Sequence, residues 1–376
     1  MVYFDNAATT PVPKAVADAM YEVLTAHFGN PSSQYPIGVE MKKAVEGWRD
    51  VIAGALGCPA ERLYFTSCGT ESDNWAIQAA LWQNRHKGKH IITTAVEHSA
   101  VLEPCRWLAQ QGYEITCLKP GRDGNITVEQ VAAALREDTA LVSMILVNNE
   151  TGCVFPVRET AALLREKGSP ALLHCDAVQG FMKVDCDPEG WGVDMMSLSA
   201  HKLGGPKGIG ALYIGGRMRN PRPLLPGGGQ ERGLRSGTEA TAQIAGFAKA
   251  VELRQEHYEE KLAHMAALKE YCRAKLLDMG GVVPVGSGTA PHILAVSLVG
   301  YPSGNIVTEL GAQGICISAG SACHQGKASH VVSALGLDKK TAAGVIRISL
   351  SPDNTNEDVD ALCAALKAHR DSRFPM

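Results

Sequence analysis

The sequence lacks any apolar run approaching the roughly 18 residues that a membrane helix requires, so no membrane association is expected. It lacks a leader. The first residues, Met1-Val2-Tyr3-Phe4-Asp5-Asn6, have neither a basic nor an apolar block, and the cytoplasm is the expected compartment. It lacks a block of like charge. A net charge of -3 gives no basic field, so no direct contact with nucleic acid is expected. Internal repeats and low-complexity stretches are also missing. Cysteine is not scarce, at eleven, but no two cysteines stand in C-x-x-C spacing. A zinc or iron–sulfur ligand set therefore has no local support, and the expected metal content is none. A disulfide scaffold does not suit a chain of this size. Most of the thiols are expected to be small buried hydrophobes in a reducing compartment.

What remains is an ordinary globular composition, 45% hydrophobic and 20% charged over 376 residues, enough for a large core and two domains. Short apolar strands are expected at 63–66, 90–94, 114–118, 141–147, 171–175, 195–198 and 211–214. Helical patterns at 71–85, 99–111, 128–136 and 157–167 alternate with them. That alternation predicts an α/β fold with a mostly parallel seven-stranded sheet flanked by helices. The segment 239–277 reads as one long helix leading to a smaller α+β domain, against which the first dozen residues pack. The expected division is a large domain of residues 14–256 and a small one of residues 1–13 with 257–376.

Chemistry concentrates at the strand ends. Lys202, in Ser199-Ala200-His201-Lys202-Leu203-Gly204-Gly205, follows a strand and has little steric cover. Asp176 ends the preceding strand, 26 residues upstream. A lysine to hold an aldehyde carbon and a carboxylate for a ring nitrogen are what pyridoxal 5'-phosphate requires. Taken alone, Lys202 also reads as a solvated loop residue. Cys68-Gly69-Thr70-Glu71-Ser72 opens a helix after a strand and reads as a phosphate seat, or simply as an N-cap with an acidic first turn. His98 lies at another strand-to-helix junction, suited to proton transfer over a ring or to a structural hydrogen bond. Asn149 stands at a third such end, where ligands of open α/β sheets collect. Cys323 sits among very small residues, Ser321-Ala322-Cys323-His324, as an accessible thiol or an incidental buried one. Arg347 is alone in an apolar strand and demands either a substrate carboxylate or an internal acid.

Taken in order, these segments resemble one family. Asp5-Asn6-Ala7-Ala8-Thr9-Thr10, Gly29-Asn30-Pro31-Ser32-Ser33, Thr66-Ser67-Cys68-Gly69-Thr70-Glu71-Ser72, Asn148-Asn149-Glu150, Asp176-Ala177-Val178-Gln179, Ser199-Ala200-His201-Lys202, Gly227-Gly228-Gly229-Gln230-Glu231-Arg232, Arg235-Ser236-Gly237-Thr238 and Gly320-Ser321-Ala322-Cys323 are similar, almost end to end, to cysteine desulfurases of the NifS/IscS type, class V aminotransferases. The resemblance implies fold type I of pyridoxal-phosphate enzymes and a homodimer. It implies that Lys202 carries the cofactor, His98 stacks on its ring and relays protons, and Asp176 holds its nitrogen. Gln179 would reach the phenolic oxygen, and Asn149 the cofactor or substrate. Gly69, Thr70, Ser199 and His201 would bind the phosphate, with Thr238 reaching the partner's cofactor. Asn30 and Arg347 would clamp the carboxylate of L-cysteine. Cys323 would take the sulfur as a persulfide, releasing L-alanine, and pass it to an acceptor protein in iron–sulfur cluster assembly or tRNA thiolation. Selenocysteine lyase and other class V aminotransferase-like chemistry are the alternatives. His324, directly after Cys323, departs from the family's usual small hydroxyl residue.

Overall fold

The computed structural model describes residues 1–319 and 329–375. Its larger sheet has seven strands. From one edge to the other they run Leu63–Thr66, Gly210–Ile214, Met195–Ser199, Leu172–Asp176, Thr139–Ile145, His90–Thr94 and Glu114–Leu118. Only Gly210–Ile214 is antiparallel to its neighbours; the other pairings are parallel. Central strands such as Thr139–Ile145 and Leu172–Asp176 are buried along their whole length. That is why they read as apolar runs rather than alternating ones. Helices Gly69–Gln83, Ser99–Ala109, Val128–Ala134 and Val157–Glu166 appear where periodicity puts them, within two residues at each end. Two further helices, Lys14–Thr25 and Pro36–Leu56, pack on Thr241–Gln255. The second of them starts at a proline and stops at Gly57, whose φ of 75° is open to glycine and costly to other residues.

The long helix expected over 239–277 is two helices, Thr241–Gln255 and Tyr258–Asp278. His257 between them has φ 52° and ψ 39°. The break has no glycine or proline, so composition carried no warning of it. Turning the chain there sends the second helix to a separate four-stranded antiparallel sheet. Its order is Ser318–Ala319, Val345–Ser349, Ile293–Leu298 and Val282–Pro284. That sheet has its own core, in which Phe4, Leu268, Leu276, Val296, Ile348 and Leu362 are buried.

The N-terminal segment ties the two sheets together. Val2–Tyr3 pairs with Ile315–Cys316, and Asp5 bridges to Ser349. Further along, Ala7 is buried in the core of the larger sheet. Thr10 Oγ1 donates to the His201 carbonyl at 2.9 Å. So the first dozen residues pack against both layers, not against the small one alone.

One buried ion pair braces the site's wall. Arg49 on helix Pro36–Leu56 meets Glu231 through two 2.8 Å contacts, with both side chains under 5% exposed. Glu231 also accepts from the Phe65 amide at 2.7 Å, and Arg49 donates to the Leu63 carbonyl at 2.9 Å. Removing Arg49 strands Glu231 in the interior, and removing Glu231 leaves Arg49 only the half-exposed Glu46, at 3.2 Å. We expect Glu231→Ala to cost about 3–5 kcal/mol in urea unfolding and the double change Arg49→Met with Glu231→Met to cost far less. Equal losses would show that packing, not the unpaired charge, dominates.

Candidate active site

Strand ends and helix starts of the larger sheet converge around Gly69, Asp176, Ser199 and Lys202. Helix Gly69–Gln83 begins after Cys68 with no side chain capping it, so its first amides and its positive dipole end are available. A Cβ on Gly69 would stand 2.8 Å from Val178 Cγ2 and 3.6 Å from the Ser199 Cβ. This close approach requires glycine and brings three chain segments to one point. The Ser199 hydroxyl there is buried and has no partner within the chain. A buried orphan hydroxyl beside free helix amides is a donor set suited to an anion such as a phosphate. Thr70, on the same first turn, is exposed. The acidic first turn is not idle: Glu71 pairs with Arg235 at 2.8 Å and accepts from Ser67 Oγ at 2.5 Å.

Asp176 closes its strand with 3% exposure, and its Oδ1 accepts from the Val178 amide at 2.9 Å. Burial, then the nearby Asp73 carboxylate, push its pKa up. The layer beneath is polar: His174 touches Ser143 Oγ and Ser197 Oγ at 2.9 Å each and lies 3.5 Å from Asp73. Among the described residues no cation forms an ion pair with Asp176, although Lys202 and His98 lie within its electrostatic reach. A protonated ring nitrogen would form that pair, so the donor set and the carboxylate both fit pyridoxal phosphate.

Lys202 Nζ donates to the carbonyls of Ala7 and Ala8 at 2.7 Å each. Burial foremost, then the Arg347 cation, lower its pKa from 10.5 to about 8. An amine must be neutral to attack a carbonyl. Cofactor uptake by the apoprotein should therefore accelerate with rising pH and level off above about 8. A plateau displaced to the ordinary lysine range, near ~10.4, in a stopped-flow absorbance series would refute this.

His98 caps helix Ser99–Ala109, its Nδ1 accepting from the Ala100 amide at 3.1 Å. With Nδ1 so engaged, a proton on the neutral ring belongs on Nε2. The residue is exposed in the isolated chain, yet the protein around it and the Lys202 and His330 charges push its pKa down, against the pull of Asp176. The structural hydrogen bond is thus present, and it leaves Nε2 without a bond among the described residues. His201 contacts Thr9 Oγ1 at 3.2 Å; burial and neighbouring lysines lower its pKa to about 4, so it is neutral. Gln179 donates to the Ala7 carbonyl at 2.7 Å and accepts from Lys183 at 3.3 Å.

Arg347 is the residue whose two readings most needed coordinates. It forms the internal salt bridge, to Asp5 at 2.7 Å, and also donates to Ser318 Oγ and the Asn149 carbonyl at 2.9 Å each. Its Nε is buried without a partner. One donor of the fork therefore stays available for a carboxylate. The Asn149 side chain makes no hydrogen bond among the described residues; only its carbonyl is used. Asn30 is exposed and caps its own turn, accepting from the Ser32 amide at 2.9 Å, without bonding to Arg347. Thr238 is exposed and makes no hydrogen bond within the described residues. Cys323 and His324 lie outside the described residues.

Residue-type reasoning missed several participants. Asp5 and the Ala7 and Ala8 carbonyls enter the site from the N-terminal segment, whose motif was visible but had no assigned role. Glu97, fully buried with one carboxylate oxygen orphaned, carries a pKa raised chiefly by burial. His330 Nε2 meets the Glu97 carbonyl at 2.9 Å. Neither had a sequence signal.

A lysine with lowered basicity, a buried acid and a donor set suited to an anion, grouped at the strand ends of a mostly parallel sheet, are the groups that pyridoxal phosphate requires. The description "Aminotransferase class-V" belongs to the family model that matches residues 2–362. The chain belongs to that family, and the family depends on pyridoxal phosphate. Over 363 residues, 96% of this chain and 89% of the relative, it is 42% identical to the cysteine desulfurase IscS of Methanosarcina thermophila. A solved NifS-like protein superposes with a TM-score of 0.92 at 36% identity, covering 98% of each chain. A structure described as SspA in complex with cysteine superposes with a TM-score of 0.82 at 34% identity, covering 94% of this chain and 100% of the other. No helix among the described residues is long and apolar enough to cross a membrane, and no cluster of metal-ligating side chains occurs among them.

Proposed function

We propose that this chain is a cysteine desulfurase: L-cysteine becomes L-alanine, and the sulfur is held as a persulfide on Cys323 for transfer to an acceptor protein. The observation that carries the reading is the meeting of Lys202, Asp176 and the uncapped helix start at Gly69, with the lysine's basicity already lowered. Lys202, Asp176, Gln179 and His98 would hold the cofactor's ring, and Gly69, Thr70, Ser199 and His201 its phosphate. Pyridoxal phosphate, when bound, supplies an electron sink next to the substrate's α-carbon.

The remaining steps belong to the chain. Arg347, through its unpaired Nε, the side chain of Asn149 and the side-chain amide nitrogen of Asn30 orient the substrate carboxylate. His98 Nε2 and the Lys202 amine carry protons to and from the substrate carbons. The Cys323 thiolate bonds to the substrate sulfur as the carbon–sulfur bond breaks, and its electron pair stays with the carbon skeleton. That skeleton takes up a proton and leaves as alanine. Cysteine and one enzyme thiol give alanine and one persulfide, with no external oxidant. Ser199 and the buried wall behind it exclude water from the phosphate seat.

The division proposed is a large domain of residues 14–256 and a small one of residues 1–13 with 257–376; the separate core around Phe4, Leu268 and Ile348 supports it, while Ala7, Ile293 and Val331 pack into the larger core. A homodimer in which Thr238 reaches the partner's cofactor gives that exposed threonine its role. The reaction suits the cytoplasm, where thiols stay reduced, and an acceptor in iron–sulfur cluster assembly or tRNA thiolation. The test is to incubate the holoenzyme with L-cysteine and a reductant and to quantify products. One alanine per sulfide is expected; cysteine consumption without alanine would overturn the reading.

A further inference from the structure

A cleft of about 530 Å³ opens between the N-terminal segment, helix Thr241–Gln255 and the turn after Leu350. Its walls include Asn6, Thr10, Lys183, Lys202, Arg254 and Asn354. Two of these are basic groups withdrawn from water, Lys183 at 5% and Arg254 at 9% exposure, and burial foremost pushes both pKa values down, that of Lys183 far down, so that a bound anion is needed to hold its charge. Among the described residues neither has a carboxylate partner. Lys183 Nζ makes a single hydrogen bond, to Gln179 Oε1 at 3.3 Å. Arg254 donates to the Met182 carbonyl at 3.3 Å and, weakly, to the Met265 sulfur at 3.8 Å. Counting donors, about two ammonium and three guanidinium N–H groups have no acceptor. His292 is buried at 2% exposure with neither ring nitrogen bonded, and it lies within the electrostatic reach of both cations. The Asn6 Oδ1 is a further buried atom without a partner.

The acids at the cleft do not balance these charges. Glu256 and Asp353 are exposed, and the Asp358 carboxylate is taken by Asn354 and the Thr355 amide. Asp353 acts on Arg254 only through space. Lys261, also in the wall, spends a proton on the Leu253 carbonyl. Buried cations without partners are costly, and native folds pair them or neutralise them. A guanidinium fork beside an ammonium complements a carboxylate or a phosphate. The cleft volume is within the range of about 300–1,000 Å³ that small-molecule sites occupy.

We propose that this cleft is a second ligand site, which takes a small molecule through a carboxylate or phosphate group held between Lys183 and Arg254. It is separate from the phosphate seat, since neither Gly69 nor Ser199 lines it. It touches the catalytic centre at two points. Lys202 is in its wall, and Lys183 bonds to the same Gln179 that grips the Ala7 carbonyl. An anion there keeps Lys183 charged and Gln179 Oε1 committed to it, and it fastens the N-terminal segment to the turn after Leu350.

Calorimetric titration of the holoenzyme, whose cofactor already fills the phosphate seat, tests this. Inorganic phosphate and succinate serve as separate probes at constant ionic strength. One site per chain is expected for at least one probe, and which one binds assigns the ligand's anionic group. Affinity should fall at least tenfold in Arg254→Gln and in Lys183→Met. No saturable binding of either anion to the wild type, or unchanged affinity in Arg254→Gln, would overturn the proposal. Should both variants fail to fold, the phosphorus-31 linewidth of phosphate with wild-type holoenzyme decides: broadening reversed by excess succinate supports the site, and an unbroadened line sinks it. Binding is read without any turnover, so its outcome is independent of the desulfurase assay.

Discussion

Lys202→Ala is expected to remove the visible absorbance of lysine-linked cofactor and to lower alanine formation by about 10³-fold or more. The physical ground is the lysine's setting. Its amine is fastened between two carbonyls of the N-terminal segment, within reach of Asp176, and its basicity is lowered to about 8 by burial and by Arg347. Among the described residues the nearby lysines are placed otherwise: Lys183 bonds to Gln179, and Lys207 is exposed. The variant should still fold, because alanine opens little space at a half-buried position and leaves the two carbonyls reachable by water. Phosphate-seat binding should persist, so pyridoxal phosphate would still be retained, but weakly and released by dialysis. If Lys202→Ala kept both the absorbance and the rate, the assignment of the whole site would fall.

Cys323→Ala should produce a different signature, with the cofactor spectrum intact and alanine formation from L-cysteine reduced by about 10³-fold. In the proposed reaction the thiol meets only the substrate sulfur, so the spectrum tells this loss apart from the first. Mass analysis of the wild-type peptide bearing Cys323 after exposure to L-cysteine should reveal one added sulfur atom. Full alanine turnover by Cys323→Ala would favour an aminotransferase-like reaction, which needs no thiol. The reductant must be held constant, because in the absence of an acceptor it, together with the thiol of excess L-cysteine, returns the persulfide to the thiol.

Legibility differed from element to element. The strands Leu63–Thr66 and His90–Thr94 were readable to the residue because short, mostly buried segments of aromatic, β-branched and aliphatic residues favour strands. The end of helix Thr241–Gln255 was not, because His257 adopts a left-handed backbone that its side chain does not advertise. Lys202 and Asp176 were readable because catalytic types at strand ends are a local pattern. Asp5 beside Arg347 was not, since a contact across 342 positions has no local trace. Nor was the cleft behind Lys202, whose cations Lys183 and Arg254 look like ordinary surface residues until the helix carrying Arg254 is packed.

The chain's order of residue types by itself determined the alternation of strands and helices, the lysine and the acid at strand ends, and the kinship to class V aminotransferases. These are properties of short segments, in which periodicity and side-chain chemistry speak locally. Tertiary structure alone decided that the N-terminal segment supplies two carbonyls to Lys202, that Arg347 is half spent on Asp5, and that two cations are sealed away without acids. Burial and long-range contact set those outcomes, because desolvation and pairing depend on what the fold brings alongside a residue and not on its neighbours in the chain.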